Sequence, residues 1–194
     1  MIILEGCDLA GKSTLAEELF HAVYRETLLA PMVRHFTKPK PTFDKFWGYK
    51  NCIQGDVILD RFHLSHIVYR AIDSENHDLT PFKYELVDAE ISRVGGIIVC
   101  FALEDEVIIR RWNAMPDTRK EMYTLQQVLQ VNQVYRQLHA NGFIATKHGS
   151  YRPMVNYWIT QEVSIQRTCD DIIDLWYKRQ RELDAVIGDK PYSL

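Results

Sequence analysis

A glycine-rich octapeptide constrains the fold of this chain more than any other feature of its sequence. Residues 6–13 read Gly-Cys-Asp-Leu-Ala-Gly-Lys-Ser and fit the pattern G-x-x-x-x-G-K-[ST], between an apolar run at residues 2–4 and an amphipathic stretch. Glycines at such a junction let successive backbone N–H groups point at one anion, and a helix that begins near Lys12 aims its positive end at the same place. The residues that we predict to bind nucleotide phosphates are Gly6, Asp8, Gly11, Lys12, Ser13 and Thr14.

Short apolar runs alternate with amphipathic stretches along the chain. Strands are predicted over residues 2–4, 32–37, 56–59, 97–101 and, weakly, 142–146. Helices are predicted over residues 12–25, 64–72, 81–93, 105–112 and 124–139, with a last one from caps at 168–171 to about 183. This alternation predicts an α/β fold of three layers, a parallel sheet of about five strands with helices on both faces. Residues 147–166 follow no pattern.

Length and composition bound the class of protein. The 194 residues predict one domain, residues 1–194, whose core needs neither a disulfide nor a metal. The four cysteines form no C-x-x-C pair, which is typical of reduced thiols in an intracellular protein. The longest apolar stretch, residues 94–103, is about half as long as a membrane span. A net charge of −3 disfavours a protein that coats nucleic acid. We therefore predict a cytoplasmic protein with neither a membrane nor a nucleic acid as partner.

The carboxyl ends of the predicted strands place further polar residues at the ligand crevice. Lys12 can bridge the β- and γ-phosphates of a nucleoside triphosphate, and Ser13 and Asp60 can bind Mg²⁺. Asp60 can alternatively accept the proton of an attacking oxygen, and Arg61 can hold an acceptor phosphate through two parallel hydrogen bonds. The plainer alternatives are a glycine-rich turn that binds nothing, a helix cap at Asp60 and an exposed ion pair at Arg61.

Two short segments resemble the thymidylate kinase family. Residues 5–8, Glu-Gly-Cys-Asp, lead into Gly-Lys-Ser-Thr at residues 11–14 and resemble the E-G-x-D start of these enzymes. Residues 60–62, Asp-Arg-Phe, are followed by Ser65 and Tyr69 and are similar to the family segment D-R-[YFH]-x-x-S-x-x-A-Y. The first segment is shared with many kinases, whereas the second is more particular to this family.

A third segment, residues 36–39, resembles a shortened form of the family's T-R-E-P stretch. The chain departs from the family pattern at Leu9, where a glycine is usual, at Val68, where an alanine precedes the tyrosine, and at Lys38, which replaces an arginine. The resemblance covers about residues 1–140. It implies a P-loop kinase fold with a lid, MgATP as the phosphate donor, a pyrimidine deoxynucleotide as the acceptor and a homodimer.

The resemblance also implies roles for single residues. Asp8 is expected to contact the acceptor sugar and Arg61 its phosphate. The acceptor-binding segment is expected over about residues 34–72. The acceptor-binding residues predicted in this way are Asp8, Lys38, Arg61, Phe62 and Tyr69.

Basic and aromatic residues interleave in the first part of that segment. Between Arg34 and Lys50, five basic residues face one acid, Asp44, and five aromatic rings lie among them. Stacking rings and positive charge suit an acceptor pocket, but they also suit single-stranded DNA. The plainer interpretation is that the rings form local core and the lysines are solvated. The sequence leaves these three interpretations open.

A stretch without periodicity, about residues 113–121, predicts a mobile lid after the helix over residues 105–112. Arginines that close over a transferring phosphoryl group stabilise its charge, and a polar loop that contains Pro116 suits such closure. Arg110, Arg111 and Arg119 join Lys12, Asp60 and Arg61 as predicted catalytic residues. The sequence does not decide whether Arg110 or Arg111 faces the site, and solvated surface arginines are the alternative.

Together these features predict an enzyme that transfers the γ-phosphate of MgATP to a deoxynucleoside monophosphate, with dTMP or a related pyrimidine deoxynucleotide as the first choice. A deoxynucleoside kinase that acts on a 5′-hydroxyl is the first alternative, with Asp60 as a true base. A nucleotide-binding module that acts on DNA or on a protein partner is the second. The chain has no guanine-reading N-K-x-D sequence, which excludes an ordinary GTPase.

Overall fold

The computed structural model describes residues 1–36, 45–53, 56–72, 80–116, 124–146 and 148–188. Its strands, in chain order, are β1 (Ile2–Glu5), β2 (Met32–His35), β3 (Val57–Asp60), β4 (Ile97–Phe101), β5 (Ile144–Thr146), β6 (Gly149–Tyr151) and β7 (Tyr157–Ile159). Its helices are α1 (Lys12–Thr27), α2 (Lys45–Cys52), α3 (His63–Ile72), α4 (Pro81–Arg93), α5 (Asp105–Ala114), α6 (Leu125–Asn141) and α7 (Ile165–Gly188). Lys38, Arg119 and residues 117–121 of the predicted lid lie outside the described residues.

A parallel sheet forms the centre of the fold, with its strands in the order β2-β3-β1-β4-β7. β1 pairs with β3 on one side, where Ile2 lies opposite Ile58, and with β4 on the other, where Ile2 lies opposite Ile97. Every residue of β1, β3 and β4 is buried, because helices cover both faces of the sheet. The predicted α/β fold, a five-stranded parallel sheet between layers of helices, is confirmed.

The strand order reverses beside β1. From β1 the chain passes to β2 at one edge, returns to β3, and then crosses to β4 on the far side of β1. Open sheets of this kind bind ligands in the crevice outside the carboxyl ends of their strands at such a reversal. The glycine-rich loop follows β1 at this place, and Asp60 ends the neighbouring strand β3.

The helices that follow β1 and β3 pack against later helices of the chain. α1 packs against α7, and α3 packs against α6. α6 begins with a capping box between Thr124 and Gln127, and α4 begins with Pro81, a residue whose missing N–H costs nothing in a first helical turn. The face of α1 that packs on the core carries Leu15, Ala16, Leu19, Ala22 and Val23.

The predicted weak strand at residues 142–146 is present as β5, but the last third of the chain departs from the sequence pattern in two ways. Residues 142–146 do not supply the fifth strand of the main sheet, because β5 pairs with β6 in a separate antiparallel sheet. The fifth strand is β7, an edge strand of three residues, which is too short to show a hydrophobic period. The last helix begins at Ile165 rather than at residues 168–171, and the Thr168 hydroxyl donates to the Ser164 carbonyl (3.0 Å) from inside its first turn.

The aromatic residues of the basic segment mostly pack in the interior. Helix α2, which the sequence does not predict, carries the buried Tyr49, while Phe36 and Phe46 pack against the core. Trp47 is exposed, and the ammonium group of Lys50 lies 5.3 Å from the centre of its ring. For the described rings, the geometry favours core packing over a ligand-binding surface.

Within the described ranges, every helix is too short or too polar to cross a membrane. The homodimer, the cytoplasmic location and the single domain over residues 1–194 stay predictions.

Candidate functional site

A cavity of about 860 Å³ lies at the carboxyl ends of the sheet. The glycine-rich loop and the start of α1 form its first wall, and His35, Asp60 and Arg61 form its second. A third wall comes from α5 and from the connection between β7 and α7. Its polar and large apolar residues are Arg111, Trp112, Met115, Gln161, Glu162 and Val163.

Two glycines give the first wall its shape. A Cβ atom on Gly6 would lie 2.8 Å from the Cβ of Phe101, so only glycine lets the loop leave β1 this close to β4. Gly11 caps α1 in the left-handed region, with φ at +98°, where other residues are strained. The loop therefore turns directly into the N-terminus of α1, as an anion-binding loop requires.

Lys12 is held inside the loop. Its side chain is buried, and Nζ donates to the carbonyl oxygen of Cys7 at 2.6 Å. Burial, together with the positive charge of Arg61, lowers the pKa of Lys12, and the charge of Asp60 only partly opposes this effect. In the free protein the ammonium group is thus poorly compensated, and a phosphate oxygen would compensate it.

Asp60 lies on the second wall and contacts the start of α1. The Ser13 hydroxyl donates to its Oδ2 at 2.7 Å, and Nδ1 of His35 lies 3.1 Å from the same oxygen. Its other oxygen, Oδ1, is buried and accepts no hydrogen bond from the described residues. Among all the described residues, no group of three or more His, Cys, Asp or Glu side chains is placed to hold a metal ion. A hydroxyl and one free carboxylate oxygen fit Mg²⁺ that takes its other ligands from phosphates and water.

Arg61 follows Asp60 in an unusual backbone conformation. Its φ is +69°, and its N–H donates to the Leu4 carbonyl at 2.9 Å. The guanidinium pairs with the carboxylate of Asp8, and the Tyr69 hydroxyl donates to the same carboxylate at 2.8 Å. The Arg61 guanidinium also lies 5.5 Å from the centre of the Tyr69 ring. The structure therefore brings three of the predicted acceptor-binding residues into contact: Asp8 and Arg61 line the cavity, and Tyr69 contacts both of them without lining it.

The structure separates the two neighbouring arginines of α5. Arg111 donates from Nη1 to the Leu9 carbonyl at 2.7 Å and from Nη2 to Glu162 at 3.0 Å, so it reaches the glycine-rich loop. Arg110 also pairs with Glu162, but its side chain is 63% exposed and does not line the cavity. Arg111 is therefore the arginine of this helix that faces the site.

Other predicted residues lie elsewhere. Thr14 lines the cavity, but Phe62 does not. The Phe62 ring is buried, with ring centres 4.8 Å from Tyr49 and 5.3 Å from Phe36, which corrects the expectation that it contacts the acceptor. Lys38 and Arg119 fall outside the described residues, so their assignments stay predictions.

Sequence reasoning missed most of the third wall. Gln161, Glu162 and Val163 lie in the stretch that shows no pattern, and Trp112 and Met115 carry no local signal that separates ligand contact from packing. Glu5, which the sequence shows only as part of a motif, lies fully buried at the end of β1.

The strand order, the loop between β1 and α1 and the cavity beside it define an α/β fold of the P-loop kinase type. Among solved structures, the chain is similar to that of the YorR protein from Bacillus subtilis in complex with phosphorylated GDP. The TM-score is 0.69 and the identity 21%, over 93% of this chain and 97% of that one. This similarity shows a shared fold.

A weaker similarity links the chain to deoxyadenosine kinase from M. mycoides with bound dATP. The TM-score is 0.47 and the identity 11%, over 89% of this chain and 97% of that one. No known protein family and no curated protein matches the chain by sequence.

Proposed function

We propose that this protein transfers the γ-phosphate of MgATP to a deoxynucleoside monophosphate, with dTMP or a related pyrimidine deoxynucleotide as acceptor. The observation that carries the proposal is a pair of cationic sites in one cavity. Lys12 lies in the glycine-rich loop, and Arg61 lies on the facing wall within reach of Asp8 and Tyr69. Two phosphate-bearing ligands need two such sites, because their like charges oppose approach.

On the donor side, the chain's own groups bind and orient the triphosphate. The loop N–H groups and Lys12 would hold the β- and γ-phosphates. Ser13 and Asp60 would hold Mg²⁺, whose chemistry there is to neutralise phosphate charge. Arg111, which already contacts the loop through Leu9, is placed to add a cation beside the transferring group.

On the acceptor side, Arg61 is paired before any ligand binds. An acceptor phosphate would compete with Asp8 for its guanidinium, and Asp8 would keep the hydrogen bond from Tyr69. The carboxylate released from Arg61 is then free to accept a hydroxyl of the acceptor sugar. Binding of a monophosphate thus exchanges one charged partner of Arg61 for another, while the Asp8 side chain, which is 28% exposed, keeps hydroxyl donors in place of the guanidinium.

A second function is favoured by one observation. The Oδ1 atom of Asp60 is buried and accepts no hydrogen bond within the described residues, so it could take the proton of an attacking 5′-hydroxyl. A deoxynucleoside kinase would use Asp60 in this way. The position of Arg61 supports the monophosphate instead, because a nucleoside acceptor brings no charge for it.

We expect a panel of acceptors to separate these functions. ADP release from ATP and Mg²⁺ should be faster with dTMP than with thymidine. It should also be faster with pyrimidine monophosphates than with purine monophosphates. Chelation of the metal is the control and should stop release. Faster reaction with thymidine would establish the nucleoside kinase, and no release with any free nucleoside or nucleotide would favour a binding module.

We also expect ATP binding to take up a proton when the pH exceeds the lowered pKa of Lys12 in the free protein. Burial and Arg61 hold the pKa of Lys12 below the usual lysine value in the free protein, and bound phosphates should raise it again. Between these two values binding adds a proton, so the affinity for ATP should fall as the pH rises through this window and stay constant below it. Calorimetry in two buffers of different ionisation enthalpy, at a series of pH values below the ordinary lysine pKa of about 10.4, measures this uptake. Equal heats in both buffers throughout would contradict it.

A further inference from the structure

A buried carboxylate lies immediately before the glycine-rich loop. Glu5 ends β1, and its side chain is inaccessible to solvent. Its Oε1 accepts the N–H groups of Phe62 (2.9 Å) and Leu64 (3.0 Å). Its Oε2 accepts the N–H group of Ser65 at 3.0 Å and the hydroxyls of Ser65 and Tyr135, the latter at 3.3 Å. Every one of these partners donates and so favours the ionised carboxylate, although burial is the larger effect and raises the pKa of Glu5.

These contacts cap α3 with a residue from another part of the chain. The first N–H groups of a helix have no partner within it, and an anion there is favoured by the helix dipole. In most helices a residue just before the first turn supplies that partner. Here the partner comes from the central strand, so Glu5 ties the start of α3 to the end of β1.

Leu4 and Glu5, the last two residues of β1, hold the turn that carries Arg61. The N–H group of Arg61 donates to the carbonyl of Leu4, and the next N–H group, that of Phe62, donates to the Glu5 carboxylate. Between these two bonds Arg61 has a φ of +69°, a conformation that an arginine keeps only when its surroundings impose it. Leu4 and Glu5 supply these bonds on both sides of the strained residue.

We propose that Glu5 is a positioning residue that fixes the Arg61 turn against β1 and so sets the place of the acceptor-binding guanidinium relative to the glycine-rich loop. The inference rests on the proposed function for its kinetic consequence. Glu5 does not line the cavity and so acts through Arg61 rather than on a substrate. Because Gly6 follows Glu5 directly, one strand end carries both the donor loop and the anchor of the acceptor arginine.

The test is Glu5→Gln, which keeps the shape of the side chain. Its amide nitrogen would face N–H or O–H donors, so part of the cap loses its acceptor. We expect the KM for dTMP to rise about tenfold or more, while the KM for ATP changes by no more than about twofold. Tyr135→Phe removes one donor from Glu5 and keeps the ring, and we expect a rise of about threefold in the same KM.

Asp88→Asn is the matched control. Asp88 is a buried carboxylate of α4 that contacts the same helix through His63 at 2.8 Å and accepts from Tyr151 at 2.6 Å and from the Met154 N–H at 3.0 Å. Its hydrogen bonds reach His63, Tyr151 and Met154 but neither Arg61 nor Phe62. We expect this variant to lower the melting temperature and to leave both KM values unchanged. A similar KM shift in Asp88→Asn would show that Glu5 acts through stability alone and would overturn the proposal.

Hydrogen exchange provides a readout that needs no activity. In Glu5→Gln, the amides of residues 61–65 should exchange about tenfold faster, while those of β4 keep the wild-type rate. If the wild-type protein phosphorylates no monophosphate, the proposed function fails, and hydrogen exchange alone tests whether Glu5 fixes the Arg61 turn. If Glu5→Gln does not fold, Tyr135→Phe decides through the same two readouts. An unchanged KM for dTMP with unchanged exchange, or equal shifts in the two KM values, would overturn the positioning role.

Discussion

Lys12→Ala is expected to lower the turnover of the proposed kinase by roughly 10³-fold or more, the scale for loss of a cationic contact with a transferring phosphoryl group. The side chain lines the cavity, and its ammonium group is held at the Cys7 carbonyl until a phosphate replaces it. Because burial disfavours its charge in the free protein, its removal should not destabilise the fold. The melting temperature should therefore stay the same or rise.

Steady-state ADP release and thermal unfolding, measured on the same preparation, test this expectation. Lys83→Ala is the control, because Lys83 is an exposed lysine of α4 that does not line the cavity. Lys12→Met, which keeps most of the side-chain volume, separates loss of charge from loss of packing. A folded Lys12→Ala protein with nearly normal turnover would remove the glycine-rich loop from the catalytic site.

Arg61→Ala is expected to lower kcat/KM for the monophosphate. The loss of transition-state stabilisation should be about 2–4 kcal/mol, the cost of removing one partner of a desolvated charge pair. That corresponds to roughly 30- to 1,000-fold. ATP binding should change little, since the donor loop keeps its own contacts. Loss of the Arg61 charge should also raise the pKa of Lys12 and weaken the coupling of ATP binding to proton uptake.

Two variants sharpen this result. Arg61→Lys keeps the charge but loses the planar pair of donors, so its kcat/KM should lie between those of the alanine variant and the wild type. Arg93→Ala is the control, because Arg93 is an exposed residue at the end of α4 that pairs with Glu90. Normal kcat/KM for the monophosphate in Arg61→Ala would remove Arg61 from the acceptor site.

The central part of the fold could be predicted because its signals are local. Fully buried parallel strands appear in the sequence as apolar runs, and residues 6–13 form a motif whose residue types each have a steric or electrostatic reason. Asp60 is the last residue of such a run, so its place at the crevice follows from the strand. The sequence therefore brings the loop and Asp60 to the same end of the sheet.

The rest depends on packing between distant parts of the chain. Phe62 follows two residues of the second wall, but only the rings of Phe36 and Tyr49 decide that it faces the core. Arg110 and Arg111 are adjacent on α5 and so point about 100° apart, and only the packing of the helix decides which of them faces the loop. The strand β7 has three residues and is recognisable only through its pairing with β4.

Glu5 shows the same limit in another way. In the sequence it is one acid in a four-residue motif, and its buried position follows only from donors that lie 57 to 60 residues later and on α6. A buried carboxylate needs such donors, and no local sequence pattern around Glu5 indicates which residues supply them.

The cavity has walls of unequal stiffness, because β1 is a central strand of the sheet and β7 is an edge strand. The loop that starts at Gly6 follows a strand that is hydrogen-bonded on both sides, whereas the part of the third wall between β7 and α7 follows an edge strand, which pairs only with β4 among the described strands. Local opening costs least where a segment has few buried partners. Under the proposed function, the phosphates bind at the stiff loop, and any part of the donor nucleotide that reaches Gln161, Glu162 and Val163 meets the compliant segment. That segment can then adjust to the donor without disturbing the loop that holds the phosphates.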